Sequence, residues 1–149
     1  TVDAPIGRDP KNRLKQAVTE KNSKRAVTHY RVLERFGTFT RIEARLETGR
    51  THQIRVHMAY IHHPVVGDQL YGRGSDAANH GLDRQFLHSW SLSFDHPATG
   101  EHLSFVDPPT WELYDILEEI APLSLGRTDR GKEVLGLLER ERAWNEASW

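Results

Sequence analysis

Apolar and polar positions alternate from Phe39 to Glu47, where Ile42, Ala44 and Leu46 share one face and Arg41, Glu43, Arg45 and Glu47 share the other. A period of two predicts a strand with one wet face. The β-rich run from Ala26 to Arg35 reads as its partner, with Phe36-Gly37-Thr38 as the turn, and Arg41 and Arg45 are expected as cross-strand charge partners. Alternation returns from Gln85 to Phe94, with Phe86, His88, Trp90, Leu92 and Phe94 on one face. Glu101 to Val106 then comes back with Leu103 and Phe105 inward, across a turn from His96 to Gly100. This pair is expected to form a second hairpin of the same sheet, its apolar face in the core and His88 a hydrogen-bonded core histidine.

After Thr51 the period changes. Ile54, Met58 and Ile61 fall at i, i+4 and i+7, which predicts a helix from a Thr51 cap to about His63-Pro64, entered by a turn at Gly49. Arg55, one position past Ile54, is expected on a flank of that helix, against a cleft wall. A second helix should open at Asp107-Pro108-Pro109-Thr110, bury Leu113, Ile116, Leu117 and Ile120, and stop at Pro122. A third pattern, Thr128 to roughly Ala143, offers Val134, Leu137 and Leu138, with Trp144 and Trp149 following. Residues 1–25 are polar, broken by Pro5, Gly7 and Pro10, and are expected to be mostly loop. An aperiodic loop runs from Tyr71 to Asp83, where Arg73 and His80 are candidate substrate contacts, ranked below simple exposure. These elements make an α+β fold with an antiparallel or mixed sheet and flanking helices, in three segments: 1–25, 26–121 and 122–149.

Charge sharpens this picture. The chain of 149 residues has a net charge of −1, but residues 1–63 carry 13 Lys and Arg against 6 acids, and residues 64–149 carry 7 against 15. The basic half holds the turn before the first helix, where Arg50, Thr51, His52, Gln53, Arg55 and His57 crowd beside free helix amides. Such a cluster suits phosphate, and Arg8, Lys11, Arg13, Lys15, Lys21, Lys24 and Arg25 upstream suit a polyanion backbone. A solvated basic loop is the plainer alternative. Without Cys there is no disulfide framework, thiolate metal site or cysteine nucleophile. No apolar run approaches the roughly 20 residues of a membrane span. A cytoplasmic protein is expected. Nine His invite a metal, but there is no His-Glu-x-x-His and no His pair at i, i+4 with a neighbouring acid, so no metal is expected. Asp68 is expected to organise its own turn after Gly67, and His57 to serve in packing or a supporting hydrogen bond.

The run Thr-Gly-Arg-Thr-His-Gln-Ile-Arg-Val-His from Thr48 to His57, followed by His-Pro-Val-Val-Gly-Asp-Gln-Leu-Tyr-Gly from His63 to Gly72, resembles a motif of the ribosomal large subunit pseudouridine synthases of the RluA/RluD type. Val2 to Arg8, Ala26 to Tyr30, Leu87-His88 and His96 to Gly100 agree with that family, so the resemblance covers about residues 1 to 120. It implies isomerisation of uridine to pseudouridine in RNA, with ribosomal RNA the first candidate substrate and transfer RNA the second, and with no metal or organic cofactor. It implies that Arg55 is the catalytic-site residue present, paired with the family's nucleophilic aspartate, and that Arg50, Thr51, His52 and Gln53 lie near the flipped nucleotide. The family's Arg-Leu-Asp motif and its downstream tyrosine motif are not in this chain. The expectation is therefore a C-terminal piece of the catalytic domain, inactive without the N-terminal half of its polypeptide. The rivals are a non-catalytic RNA-binding module and a metal-assisted hydrolase using the histidines.

Overall fold

In the computed structural model, residues 1–72, 74 and 79–148 are described. Arg73 and Trp149, both singled out above, lie outside the described residues. The chain divides into two compact units, Thr1–Arg31 with Ile42–Leu87, and Val32–Arg41 with His88–Trp149.

In the first unit most of residues 1–25 is turn and loop, as expected, but four short strands that the sequence did not announce are set in it, β1 (Val2–Asp3), β2 (Ile6–Arg8), β3 (Gln16–Val18) and β4 (Ser23–Lys24). β2 sits between β3 and β4 in an antiparallel sheet. These strands are too short to show a period, yet Val2, Ala4 and Ile6 are buried. β1 pairs antiparallel with the start of β5 (Val27–Phe36), so Val2 faces Thr28 and Asp3 faces Val27. β5 is bordered by β6 (Thr40–Leu46), as the first hairpin pattern predicts.

The helix α1 (Gln53–Tyr60) follows β6. Met58 packs with Val2 and Ala4, and Ile54, Ile61, Ile42 and Val65 close around them, while Val56 joins Ile6 and Ala26. The stripe read from the sequence is thus the packed one. Thr51, however, is exposed and does not cap the helix. The N-cap is His52, in the left-handed region at φ 56°, because the turn satisfies its donors through Gln53 instead. At the other end His62 takes φ 67°, the His62 amide donates to the Ala59 carbonyl and the His63 amide to that of Met58. That is a Schellman closure, and Pro64 follows it.

In the second unit the helix α2 (Trp111–Ile120) buries Leu113, Ile116 and Ile120, and a 3-10 turn over Ala121–Leu123 contains Pro122. A short strand, β9 (Ser124–Arg127), pairs antiparallel with the end of β5. The long helix α3 (Asp129–Ala147) begins at Thr128, whose hydroxyl accepts from the Gly131 amide and donates to the Val32 carbonyl. Gly131 lies so close to β5 that a Cβ there would run into the Leu33 carbonyl. This approach lets Val134, Leu135 and Leu138 form a core with Leu33, against which Trp90 packs.

The second hairpin departs from expectation. Only Ser91–Asp95 (β7) and His102–Val106 (β8) are strands, and they form a separate two-stranded sheet. The register places Leu92 opposite Phe105 and Phe94 opposite Leu103, with the Phe94 and Phe105 rings stacked 6.0 Å apart. That apolar face is not core: Leu92 is 57% exposed and Phe105 54%. Gln85 to Trp90 is not strand, and His88 is half-buried, its Nε2 2.9 Å from the Asp107 carbonyl. Arg41, expected to pair across the first hairpin, is half-buried; burial lowers its pKa, against the opposing influence of Tyr114 and Glu34.

Candidate functional site

The turn between β6 and α1 is built on one amide side chain. Gln53 is 3% exposed, and its Oε1 accepts from the Thr48 hydroxyl at 2.7 Å and from the Arg50 amide at 3.0 Å. Its Nε2 donates to the Val27 carbonyl and to the Thr28 hydroxyl. Both lone pairs and both protons of the carboxamide are used, which fixes the turn to β5. Gln53 was expected beside RNA; its hydrogen-bonding groups are instead spent inside the unit, because a buried amide must satisfy all four of its positions.

His57 behaves as the pattern suggests. It is fully buried, with Nε2 2.8 Å from the Ala4 carbonyl and Nδ1 2.8 Å from the Thr28 hydroxyl. The carbonyl only accepts, so the proton sits on Nε2, and Nδ1 accepts from Thr28. Gln53, Thr28 and His57 therefore form one directed hydrogen-bond chain beneath the turn.

Arg55 lies on the flank of α1, and what it meets is Asp68. Its Nε donates to Asp68 Oδ2 at 2.8 Å and its Nη2 to Oδ1 at 2.9 Å, a bidentate pair in which the Asp68 side chain is fully buried. Asp68 Oδ1 also accepts from the amides of Leu70 and Tyr71. So Asp68 does organise its own turn, as its position after Gly67 implies, and it also holds Arg55, which the spacing did not reveal. Burial pushes the Asp68 carboxyl up, but the Arg55 guanidinium and the two amides outweigh it and hold it below the usual carboxylate range. The hydrogen bond to Asp68 raises Arg55 in turn. Gly72 lets the turn close, since a Cβ there would strike the Asp68 carbonyl.

Tyr71 was not singled out from the sequence, yet it links the pieces. The Arg55 guanidinium sits 5.1 Å from its ring centroid. Its hydroxyl accepts from the Gln16 amide at 2.9 Å and contacts His52 Nδ1 at 2.9 Å. The one hydroxyl thus ties the Gln16 backbone to the His52 ring. Burial, then the nearby Arg55 charge, lower the His52 pKa. Arg50 is half-buried and its Nε donates to the Arg25 carbonyl, while Thr51 is exposed. Of the five candidate residues, Arg55 and His52 meet around Tyr71, Arg50 and Thr51 flank them on the turn, and Gln53 lies below. The Asp-Gln-Leu-Tyr-Gly run was the available signal for Asp68 and Tyr71. His80, at φ 51°, is half-buried. Among the described residues no group of three or more His, Cys, Asp or Glu side chains is gathered in a way that could hold a metal ion.

A family model described as RNA pseudouridylate synthase matches residues 1–60. An RNA pseudouridine synthase of Bacillus subtilis, YlyB, itself described as uncharacterized, is 50% identical over 120 residues, covering 80% of this chain and 38% of that protein. The chain belongs to the RNA pseudouridine synthase family, in its RluA/RluD branch. The ribosomal large subunit pseudouridine synthase D of Neisseria meningitidis is 42% identical, covering 97% of this chain and 42% of its own length. That match takes in the C-terminal helix, which the motif resemblance had left outside. The solved structure of human RNA pseudouridylate synthase domain containing 1 superposes with a TM-score of 0.69 at 25% identity, over 92% of this chain and 58% of that one. The fold is α+β, as expected. The chain spans about two fifths of the length of the curated relatives it matches.

Proposed function

We propose that this chain supplies the arginine-bearing part of an enzyme that isomerises uridine to pseudouridine in RNA, ribosomal RNA foremost, in the cytoplasm. In that reaction the bond from C1′ to N1 breaks, the base turns, C5 bonds to C1′, and the C5 proton leaves while N1 gains one. The nucleophile is an aspartate of the same polypeptide, outside these 149 residues, and the chain by itself is inactive.

The observation that carries this reading is the Arg55–Asp68 pair. Asp68 engages only Nε and Nη2 of a guanidinium that has five N–H donors. Asp68 therefore acts as an anchor, and the Nη1 edge is left to a second carboxylate, which it keeps ionised and aimed at the sugar. Asp68 is unsuited to be that nucleophile, because both its oxygens are committed and its side chain is buried. His52, Arg50 and Thr51 flank the flipped nucleotide.

Tritium release from RNA labelled at C5 of uridine tests this, comparing the 149-residue chain with the longer polypeptide containing it. Release by the longer polypeptide alone is the expected result. Release by the short chain places the nucleophile within it, and release by neither turns the assignment toward a non-catalytic RNA-binding module.

A further inference from the structure

A second feature, in the other unit, is untouched by this chemistry. Beside α3 lies a groove of about 420 Å³, floored by Trp90, Val134 and Leu137. Its rim carries Arg130, Lys132 and Arg140 with one acid, Glu133. Glu133 is occupied by Arg130, 3.0 Å away, whereas Lys132 and Arg140 have no ion-pair partner among the described residues. Arg140 and Leu137 are spaced i, i+3 along α3, and Trp144, 71% exposed, continues the same stripe at i+7. The Trp90 indole in the groove, the open cations Lys132 and Arg140 beside it, and a second exposed indole on the stripe of Leu137 and Arg140 make a short aromatic and cationic track.

We propose that this groove binds single-stranded RNA, one base lying against Trp90 with neighbouring phosphates on Lys132 and Arg140, and a further base on Trp144. The volume falls within the roughly 300–1,000 Å³ of small-ligand pockets, room for one nucleotide. Aromatic faces accept any base, and cations take the backbone, so the site is tolerant of sequence. Residues 64–149 carry 7 cations against 15 acids, so a long polyanion finds no continuous track here. The groove is a local anchor for the strand flanking the modified uridine. This inference rests on the RNA reading above and adds a contact about which the reaction at Arg55 says nothing.

The test is fluorescence anisotropy of a fluorescein-labelled oligouridine with the 149-residue chain, across a salt series. Lys132, Arg140 and Trp144 are exposed, so their substitution leaves folding intact, checked by circular dichroism. Arg140→Glu and Lys132→Glu should each weaken binding about tenfold and reduce the salt slope by about 1. Trp144→Ala should cost at least about fivefold. Unchanged affinity and slope in all three, with wild-type binding intact, overturns the groove; Arg50→Ala and tritium release then still report on the site around Arg55. Binding of a polyglutamate peptide in place of oligouridine, lost in the same variants, overturns it in favour of a protein partner. Failure of the wild type to bind either probe overturns it as well.

Discussion

The helix α1 and the hairpin β7–β8 reverse what their patterns advertise. α1 carries Gln53, Arg55 and His57 among its eight residues, yet Gln53 and His57 are as deeply buried as Met58. The hairpin alternates apolar and polar residues cleanly, yet its strands are largely exposed. Periodicity reports which residues share a face; it says nothing about what covers that face. In α1 the polar groups are tolerated because each finds a partner: Gln53 meets four, His57 meets two, and Arg55 meets Asp68. In the hairpin, Leu92, Phe94 and Phe105 meet chiefly one another across the two strands.

The contrast is open to direct attack. The largest effect should come from Arg55→Ala in the longer polypeptide, which removes the charge set against the nucleophile and should cut turnover by about 100-fold or more. Arg41→Ala should cost far less. Comparable losses, measured as initial rates of tritium release, would remove Arg55 from the mechanism.

His57→Ala and Gln53→Ala come next. Each leaves buried partners unsatisfied, and His57→Ala also opens a cavity, so urea denaturation should show losses of about 3–5 kcal/mol. A loss under about 1 kcal/mol in either would mean that the hydrogen-bond chain under the turn is not what holds it.

Asp68→Asn should cost about 2–4 kcal/mol, since it leaves a partly buried guanidinium without its charge partner. Its signature is in the pH dependence. The folded-state carboxyl of Asp68 lies below its usual range, so its contribution is present above the unfolded value, about 4, and is lost as pH falls through the lower folded value. The Asn variant should lose that acid limb of the stability profile. An unchanged limb would assign acid sensitivity to other carboxylates.

The smallest effect should come from Phe94→Ser on the exposed hairpin, about 1 kcal/mol or less in the same denaturation assay. A cost above about 2 kcal/mol would show that the face is buried in solution by a contact absent from the single chain.

Much of this was legible in the chain. Ile54, Met58 and Ile61 announced the packed side of α1, Leu113, Ile116 and Ile120 that of α2, and the run from Thr48 to Gly72 carried the family. The four strands between Val2 and Lys24 were not legible, because two- and three-residue strands have no period and are stabilised by their neighbours. Thr51 looked like the cap since its residue type favours that position, but Gln53 reached back to the Arg50 amide and His52 took the left-handed conformation instead.

Local sequence therefore determined element type, helix faces and the residues from which the site is drawn, since these depend on neighbours three or four positions away. Tertiary structure alone decided that Asp68 grips Arg55 across 13 residues and that Tyr71 bridges Gln16 and His52. It also left the second hairpin outside the core. Those outcomes depend on desolvation and pairing between distant segments, and no periodicity along the chain encodes the partner.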